Sequence, residues 1–406
     1  MKVLCAFGQH NYGDPARGEG YEYTNFLPTL QRLGHEVFFF DIWDKSRFPD
    51  FARLNQEFIS EVAKVMPDVI FCVLMGYELW TETLDLIHRA TGALLVNWAT
   101  DDSWKFHQFS RFVAPHFDLY ATTYRSAVEK AEKTGLDNFM LTQWGANSQL
   151  LAAPRTAGQC RYQVSFVGWA YGNRKKWILK LKQRGIQVDC FGYGWTGGPV
   201  AAQNIPKIIR DSVISLNFSD SSMAMNGWTA PERQIKARVF EVPACGGFLL
   251  TENASGLEEC FRPGKEIETF DTVEELAEKI NHFLLNPSCR DRIAMAGFQR
   301  VQADHLYDAR FTALFSKLIR KRVPEVSVQG REINPAAMDP YVRRHKPGRL
   351  LKLFAKIFLA PFVLIWGHKR GERAARRALF EMSWRLFGAK TYSARGLPGR
   401  LFYRQS

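Results

Sequence analysis

Residues Ile235–Thr251 read IKARVFEVPACGGFLLT, and this one junction constrains the fold more than any other stretch. A helix-compatible segment ends at Gly246-Gly247, where Gly tolerates the left-handed backbone that stops a helix. Phe248-Leu249-Leu250 then follow without a polar residue. A short run that is apolar on both faces suits a strand buried on both faces, as in a parallel sheet layered by helices.

The same alternation runs along most of the chain. Strands are predicted at Val3–Phe7, Val37–Phe40, Val69–Leu74, Ala93–Trp98 and Leu119–Thr122. Helical segments separate them at Thr24–Leu33, Phe51–Val65, Glu82–Arg89 and Ser126–Lys133. Ala, Pro and Gly cluster at Ala152–Gln159 and break the pattern. A second set follows, with strands at Val164–Val167, Gln187–Phe191 and Ser212–Phe218 and helices at Lys175–Gln183, Val273–Leu285, Arg290–Ala303 and Ala309–Arg320. Strands spaced by helices indicate βαβ units and parallel sheets. The 406 residues therefore divide into an α/β domain over 1–152, a second over 160–320, a Pro-containing linker over 321–348 and a tail over 349–406.

Charge is distributed unevenly. Residues 341–406 hold 16 Lys and Arg against two acids, giving +14, while the remaining 38 bases and 39 acids leave the rest of the chain at −1. The seven cysteines are scattered, and no Cys-x-x-Cys occurs, which argues against a disulfide framework or a zinc site and fits a reducing cytoplasm. Met1–His10 lacks the longer apolar stretch of a signal peptide and reads as a first strand.

Several groups carry candidate chemistry. Lys236 and Arg238 at a helix start suit a diphosphate, because exposed N–H groups and cationic side chains both attract anions. Glu241, further along, can accept hydrogen bonds from ribose hydroxyls. Its i, i+3 spacing from Arg238 equally suits an ion pair. Gly168 and Gly172 allow close backbone approach to a phosphate, onto which Arg174 can fork. Phe191-Gly192-Tyr193-Gly194-Trp195 follows a strand, so Tyr193 is a candidate wall for a nucleotide base, with turn packing the alternative. Asp101 and Asp102 close the strand segment Asn97–Asp102. Adjacent side chains diverge, so at most one meets a substrate as base or hydroxyl ligand, Asp102 being preferred narrowly; either can instead cap the next helix. The glycines of Gly8–Gly20 do not keep the Gly-x-Gly-x-x-Gly spacing, which argues against a dinucleotide site there.

Arg238-x-Phe240-Glu241, then Ala244-Cys245-Gly246, the apolar strand and Gly256-Leu257-Glu258-Glu259-Cys260-Phe261-Arg262-Pro263-Gly264 together resemble the C-terminal half of spore-maturation-type (CgeB-like) glycosyltransferases of the GT-B group. His305-x-Tyr307-x-x-Arg310, Phe166-Val167-Gly168 with Asn173-Arg174, Pro67-Asp68-Val69-Ile70 and Asn97–Asp102 extend the likeness over roughly residues 1–320. The resemblance implies two Rossmann-like domains facing a cleft. The domain over 160–320 would hold a nucleotide-diphosphate sugar as donor substrate, and that over 1–152 a glycan or lipid-linked acceptor. It implies that Gly8–Gly20 faces the acceptor, making Gln9, His10 and Asn11 candidates. It also implies catalysis without a cofactor or a bound divalent ion, in keeping with nine histidines that show no metal-ligand spacing. One departure stands out. Many retaining members carry Glu, seven residues, then Glu; with Glu241 as the second, Arg233 occupies the first position and Glu232 falls one residue early.

The tail segment Arg349–Trp366 is RLLKLFAKIFLAPFVLIW. Its uncharged run is too short to span a bilayer, which takes about 20 residues, and Pro361 interrupts it. Basic residues beside aromatic rings here and over 372–388 suit attachment to an anionic membrane surface from the cytoplasmic side, with packing on the body or on a partner as the alternative. Nucleic acid is disfavoured by the long apolar run. A sugar-nucleotide epimerase of the same fold and an inactive scaffold that recruits partners through the tail are the competing functional readings.

Overall fold

The computed structural model describes residues 1–219, 233–321 and 333–405. The chain forms two compact units, one of Met1–Gln143 with Ala313–Ser406 and one of Trp144–Thr312.

The first unit is built on a six-stranded sheet. Its strands are β1 (Lys2–Phe7), β2 (Glu36–Asp41), β3 (Val69–Cys72), β4 (Leu94–Ala99), β5 (Leu119–Thr122) and β6 (Phe139–Leu141), in the order β2-β1-β3-β4-β5-β6. Every neighbouring pair is parallel. Helices α1 (Tyr21–Arg32), α2 (Phe51–Val65), α3 (Thr81–Ala90) and α4 (Arg125–Lys133) make the crossovers. β3, β4 and β5 are buried along their whole length, which is why they read as continuous apolar runs. Phe7, Phe26, Phe71 and Trp98 form one aromatic contact network, with Phe26 5.4 Å from Trp98 and 5.9 Å from Phe71 between ring centres.

The second unit carries five parallel strands, β7 (Tyr162–Val167), β8 (Asp189–Phe191), β9 (Ser212–Asn217), β10 (Leu249–Glu252) and β11 (Glu268–Phe270), in the order β11-β10-β9-β7-β8. Its principal helices are α5 (Arg174–Gln183), α6 (Arg238–Ala244), α7 (Val273–Leu285) and α8 (Pro287–Asp304). The expected stop after α6 is present. Gly246 has φ +77°, and a Cβ there would lie 2.5 Å from the Ala152 carbonyl. Arg290, fully buried, donates to the carbonyls of Val213, Ser212 and Arg155 and so fastens α8 to the start of β9.

α9 (Tyr307–Arg320) carries the chain from one unit to the other, and from Ala313 onward the residues belong to the first. From residue 333 the described chain packs on the first unit, the alternative reading given above for the tail. Met338 is fully buried against Thr83, and α10 (Asp339–His345) ends with His345 set 4.8 Å from the Trp80 ring. α11 (Arg349–Trp366) and α12 (His368–Phe387) form a hairpin. Beyond it the chain re-enters the body. Tyr392 is fully buried, its ring 5.2 Å from Phe109 and its hydroxyl donating to the Gln108 carbonyl. The Ala394 amide donates to Glu82, and Tyr403 meets Phe51 at 4.7 Å. The physical reason is apolar area: the α2–α3 side of the sheet exposes Phe51, Tyr77 and Trp80, and the tail's inner face covers them.

Candidate functional site

In the second unit the carboxyl ends of β7 and β8 feed two loops that hydrogen-bond into one ledge. Gly168 N–H donates to the Phe191 carbonyl at 2.9 Å, Ala170 N–H to the Tyr193 carbonyl at 2.9 Å, and the Trp195 indole N–H to the Gly168 carbonyl at 2.8 Å. Gly192 is required here: its φ is +125°, and a Cβ would stand 2.4 Å from the Gly168 carbonyl oxygen. Trp169 and Tyr193 meet edge to face at 5.1 Å and form the aromatic rim of the ledge. Tyr193 is partly exposed there, as a wall for a planar base requires.

Arg174 begins α5 directly behind the Gly168–Asn173 loop. It is only 8 % exposed, and its guanidinium turns back beneath the ledge. It donates to the Trp169 carbonyl at 2.8 Å and the Tyr171 hydroxyl at 3.0 Å and stacks 3.9 Å from the Tyr171 ring. In this conformation it supports the Gly168–Asn173 loop.

A charged group gathers at the ends of β9, β10 and β11. Glu252, buried at the end of β10, accepts from Ser219 N–H at 2.8 Å and from Arg233 Nε at 3.2 Å. Arg233 also pairs with Asp271 just past β11. Gln234 N–H donates to the Ser219 carbonyl at 2.8 Å and its side-chain oxygen receives Lys236 Nζ at 2.7 Å. One turn on, Arg238 and Glu241 form the i, i+3 ion pair at 2.9 Å, with Glu241 only 8 % exposed. The pairing foreseen as an alternative is therefore present, in a half-buried setting where it fixes both side chains. Lys236, Arg238 and Glu241 thus stand along one short segment, with Arg233 beside it. Glu232 lies outside the described residues.

At the carboxyl edge of the first sheet, Asp102 and Asp101 separate as adjacent side chains must. Asp102 is 1 % exposed and accepts from the Ser110 hydroxyl, which in turn receives the Tyr120 hydroxyl at 3.0 Å. Burial pushes its pKa up to about 6. Thus Asp102, preferred on the sequence, points into the core at the start of a short helix. Asp101 is the partly exposed member, 4.0 Å from Lys105, whose ammonium donates to the Met75 carbonyl at 2.7 Å. Glu22, on the first turn of α1, belongs to the same edge. Burial raises its pKa to about 7, and the charge of Asp101 adds to the rise.

His10 pairs in an isolated bridge with Glu19 and stands near Asp41, whose carboxylate accepts from Trp43 N–H at 2.8 Å. Asn11 is a staple: its amide donates to the carbonyls of Glu19 at 2.8 Å and Arg17 at 3.2 Å, so the Gly8–Gly20 loop is internally braced. His305 is a packing group. It bonds the Cys260 carbonyl at 2.7 Å and meets Arg310 at 2.7 Å, and burial lowers its pKa to about 4. Among the described residues, no group of three or more His, Cys, Asp or Glu is placed to hold a metal ion.

Sequence reasoning missed Glu22, Arg233 as a participant, and Glu252. For Glu252 a signal existed, a carboxylate directly after an apolar strand. For Glu22 there was none beyond an acid in a helix's first turn.

Residues 174–316 match the family model described as glycosyl transferase-like. No curated protein sequence matches the chain significantly. Solved structures are similar in fold. Sucrose-phosphate synthase from Thermosynechococcus elongatus is 10 % identical with a TM-score of 0.56, over 79 % of this chain and 100 % of that one. Anabaena HepE in complex with UDP-glucose is 14 % identical with a TM-score of 0.53, over 79 % and 100 %. The lipopolysaccharide outer core galactosyltransferase WaaB is 14 % identical with a TM-score of 0.51, over 78 % and 100 %. The chain accordingly carries a glycosyl transferase-like region over residues 174–316 within the two-domain, parallel-sheet fold of the GT-B glycosyltransferases.

Proposed function

We propose that the protein transfers a sugar from a nucleotide-diphosphate sugar to a glycan or lipid-linked acceptor at the cytoplasmic face of a membrane. One observation carries this reading. The Trp169–Tyr193 ledge and the Arg233, Lys236, Arg238 and Glu241 segment, the latter inside the family-matched residues 174–316, lie at the carboxyl edge of one parallel sheet, the edge where such folds bind ligands.

Tyr193 and Trp169 supply an aromatic wall for the base. Lys236 and Arg238 supply positive charge for the diphosphate, which gains charge as the sugar leaves. Glu241, oriented by Arg238, is the hydroxyl acceptor. HepE was solved with UDP-glucose, which makes UDP-sugars the first donors to test. On the acceptor side the candidates are His10, Asp101 and, newly, Glu22. A carboxyl that titrates near neutrality is suited to taking a proton from an acceptor hydroxyl. The basic tail and the seven free cysteines support the membrane-face and reducing-compartment parts of the reading.

The test is a thermal-shift series with UDP, GDP and their sugars, with and without EDTA, followed by product analysis. A bound nucleotide raises the melting temperature in proportion to the logarithm of its concentration over Kd. The expected result is stabilisation by at least one nucleotide diphosphate that persists in EDTA, and transfer to an added acceptor. No stabilisation at millimolar nucleotide would overturn the donor site. Conversion of the donor without an acceptor would assign an epimerase instead.

A further inference from the structure

α11 presents three faces that divide its length cleanly. Ala355, Phe358, Leu359 and Phe362 lie on the side turned to α12, where Phe358, Leu359 and Phe362 pack around Ala375 and Leu379. Gly371 permits this close crossing, since a Cβ there would lie 2.6 Å from the Phe362 carbonyl oxygen. Arg349, Lys352 and Lys356 recur at the i, i+3 and i+4 spacing that places them along one edge. The remaining face carries Leu350, Leu353, Phe354, Ile357, Leu364 and Ile365, and all six are exposed, Leu350 to 85 % and Leu364 to 86 %. No residue of α11 is buried, and none is acidic.

We infer that this outer face of α11 docks on an anionic lipid surface, lying in the headgroup layer with its basic edge against lipid phosphates. The inference rests on the membrane-face reading above and assigns it to one element, with α10, α12 and the segment through Tyr403 forming the root that holds that element to the first unit. Charge decides for lipid as the occupant. The apolar face is bordered by Arg349, Lys352 and Lys356, and just past its end come Lys369 and Arg370. Apolar side chains flanked by cations match the acyl boundary and the phosphates of an anionic leaflet together. Among the described residues no helix is long and apolar enough to cross a membrane, so the attachment lies on the surface.

The experiment uses the full chain and co-sedimentation with two vesicle types, phosphatidylcholine alone and phosphatidylcholine mixed with phosphatidylglycerol. Wild type is expected to bind only the mixed vesicles and to be partly released by high salt. Leu353→Glu/Ile357→Glu/Leu364→Glu changes only exposed side chains, so its melting temperature and UDP binding should match wild type while vesicle affinity falls at least about tenfold. Arg349→Gln/Lys352→Gln/Lys356→Gln should bind weakly and with a reduced salt dependence. Three results would overturn the inference. They are wild type that ignores the mixed vesicles, a triple-Glu variant that binds them equally well, and a wild-type dimer that this variant converts to monomer. UDP binding is read separately in each sample, so loss of the donor reading and loss of lipid docking are told apart.

Discussion

Asp102 shows how a single residue can carry the right chemistry and the wrong address. A carboxylate at the end of a parallel strand is a reasonable base, yet its neighbour on the chain faces outward and it faces Ser110 and Tyr120. Its burden is electrostatic and has a pH signature. The folded-state pKa of about 6 exceeds the ordinary value of 3.8, so folding favours the protonated form. Stability associated with that proton is complete below the unfolded value and is lost as pH rises through about 6. Asp102→Asn removes the titration. Relative to wild type, the variant should gain about 3 kcal/mol between pH 3.8 and pH 6.5, a shift of about two units at 1.36 kcal/mol each. Chemical denaturation of both proteins across that range checks it, and parallel curves would show that the carboxyl does not titrate there. Arg174 teaches the same lesson in reverse. Its position after a Gly-containing loop was legible, but whether a guanidinium reaches outward or folds back depends on Tyr171 and Trp169, whose places are set only by the finished loop.

At the scale of elements, long segments with strong periodicity were readable and short ones were not. Helices Phe51–Val65 and Val273–Leu285 fall where the apolar spacing puts them, because each buries one continuous stripe. β6 and β11 escaped because three residues at a sheet edge carry too little pattern to be distinguished from loop. The segment Gly388–Tyr392 also escaped, for a different reason. Its burial depends on Phe109 and Phe112, residues remote in sequence that present a ring-lined socket to Tyr392. Tyr392→Ala should therefore destabilise the first unit by about 3–5 kcal/mol, the range for deleting a buried aromatic ring. Tyr392→Phe should cost about 1–3 kcal/mol, for the Gln108 carbonyl left without its hydroxyl donor. Denaturant midpoints for the two variants test the order. An Ala variant as stable as wild type would mean the tail turn is not part of the cooperative core.

For the whole molecule, the tail's two surfaces have opposite fates. The alternation of strands and helices made both α/β units legible, and the concentration of +14 in residues 341–406 made the tail's outer character legible. What charge counting could not reveal is that the inner surface closes the first unit. Truncation after Pro340 would remove His345 from Trp80, Phe380 from Tyr77 and Tyr403 from Phe51. Such a fragment should aggregate or melt at a lower temperature in its first unit. A calorimetric transition from the second unit, residues 144–312, should persist. A soluble fragment with an unchanged melting profile would show the tail to be a removable appendage.

The discontinuity of the first unit also sets a timetable for synthesis. Residues 144–312 are contiguous and can complete their sheet while the ribosome is still translating. The strands of residues 1–143 emerge first, but Phe51, Tyr77 and Trp80 await partners encoded at His345, Phe380 and Tyr403. The first unit's sheet is thus begun before the second unit and finished after it, and its sticky side remains uncovered until the residues from His345 to Tyr403 are translated. During that interval a holding chaperone has its longest opportunity to act on the nascent chain.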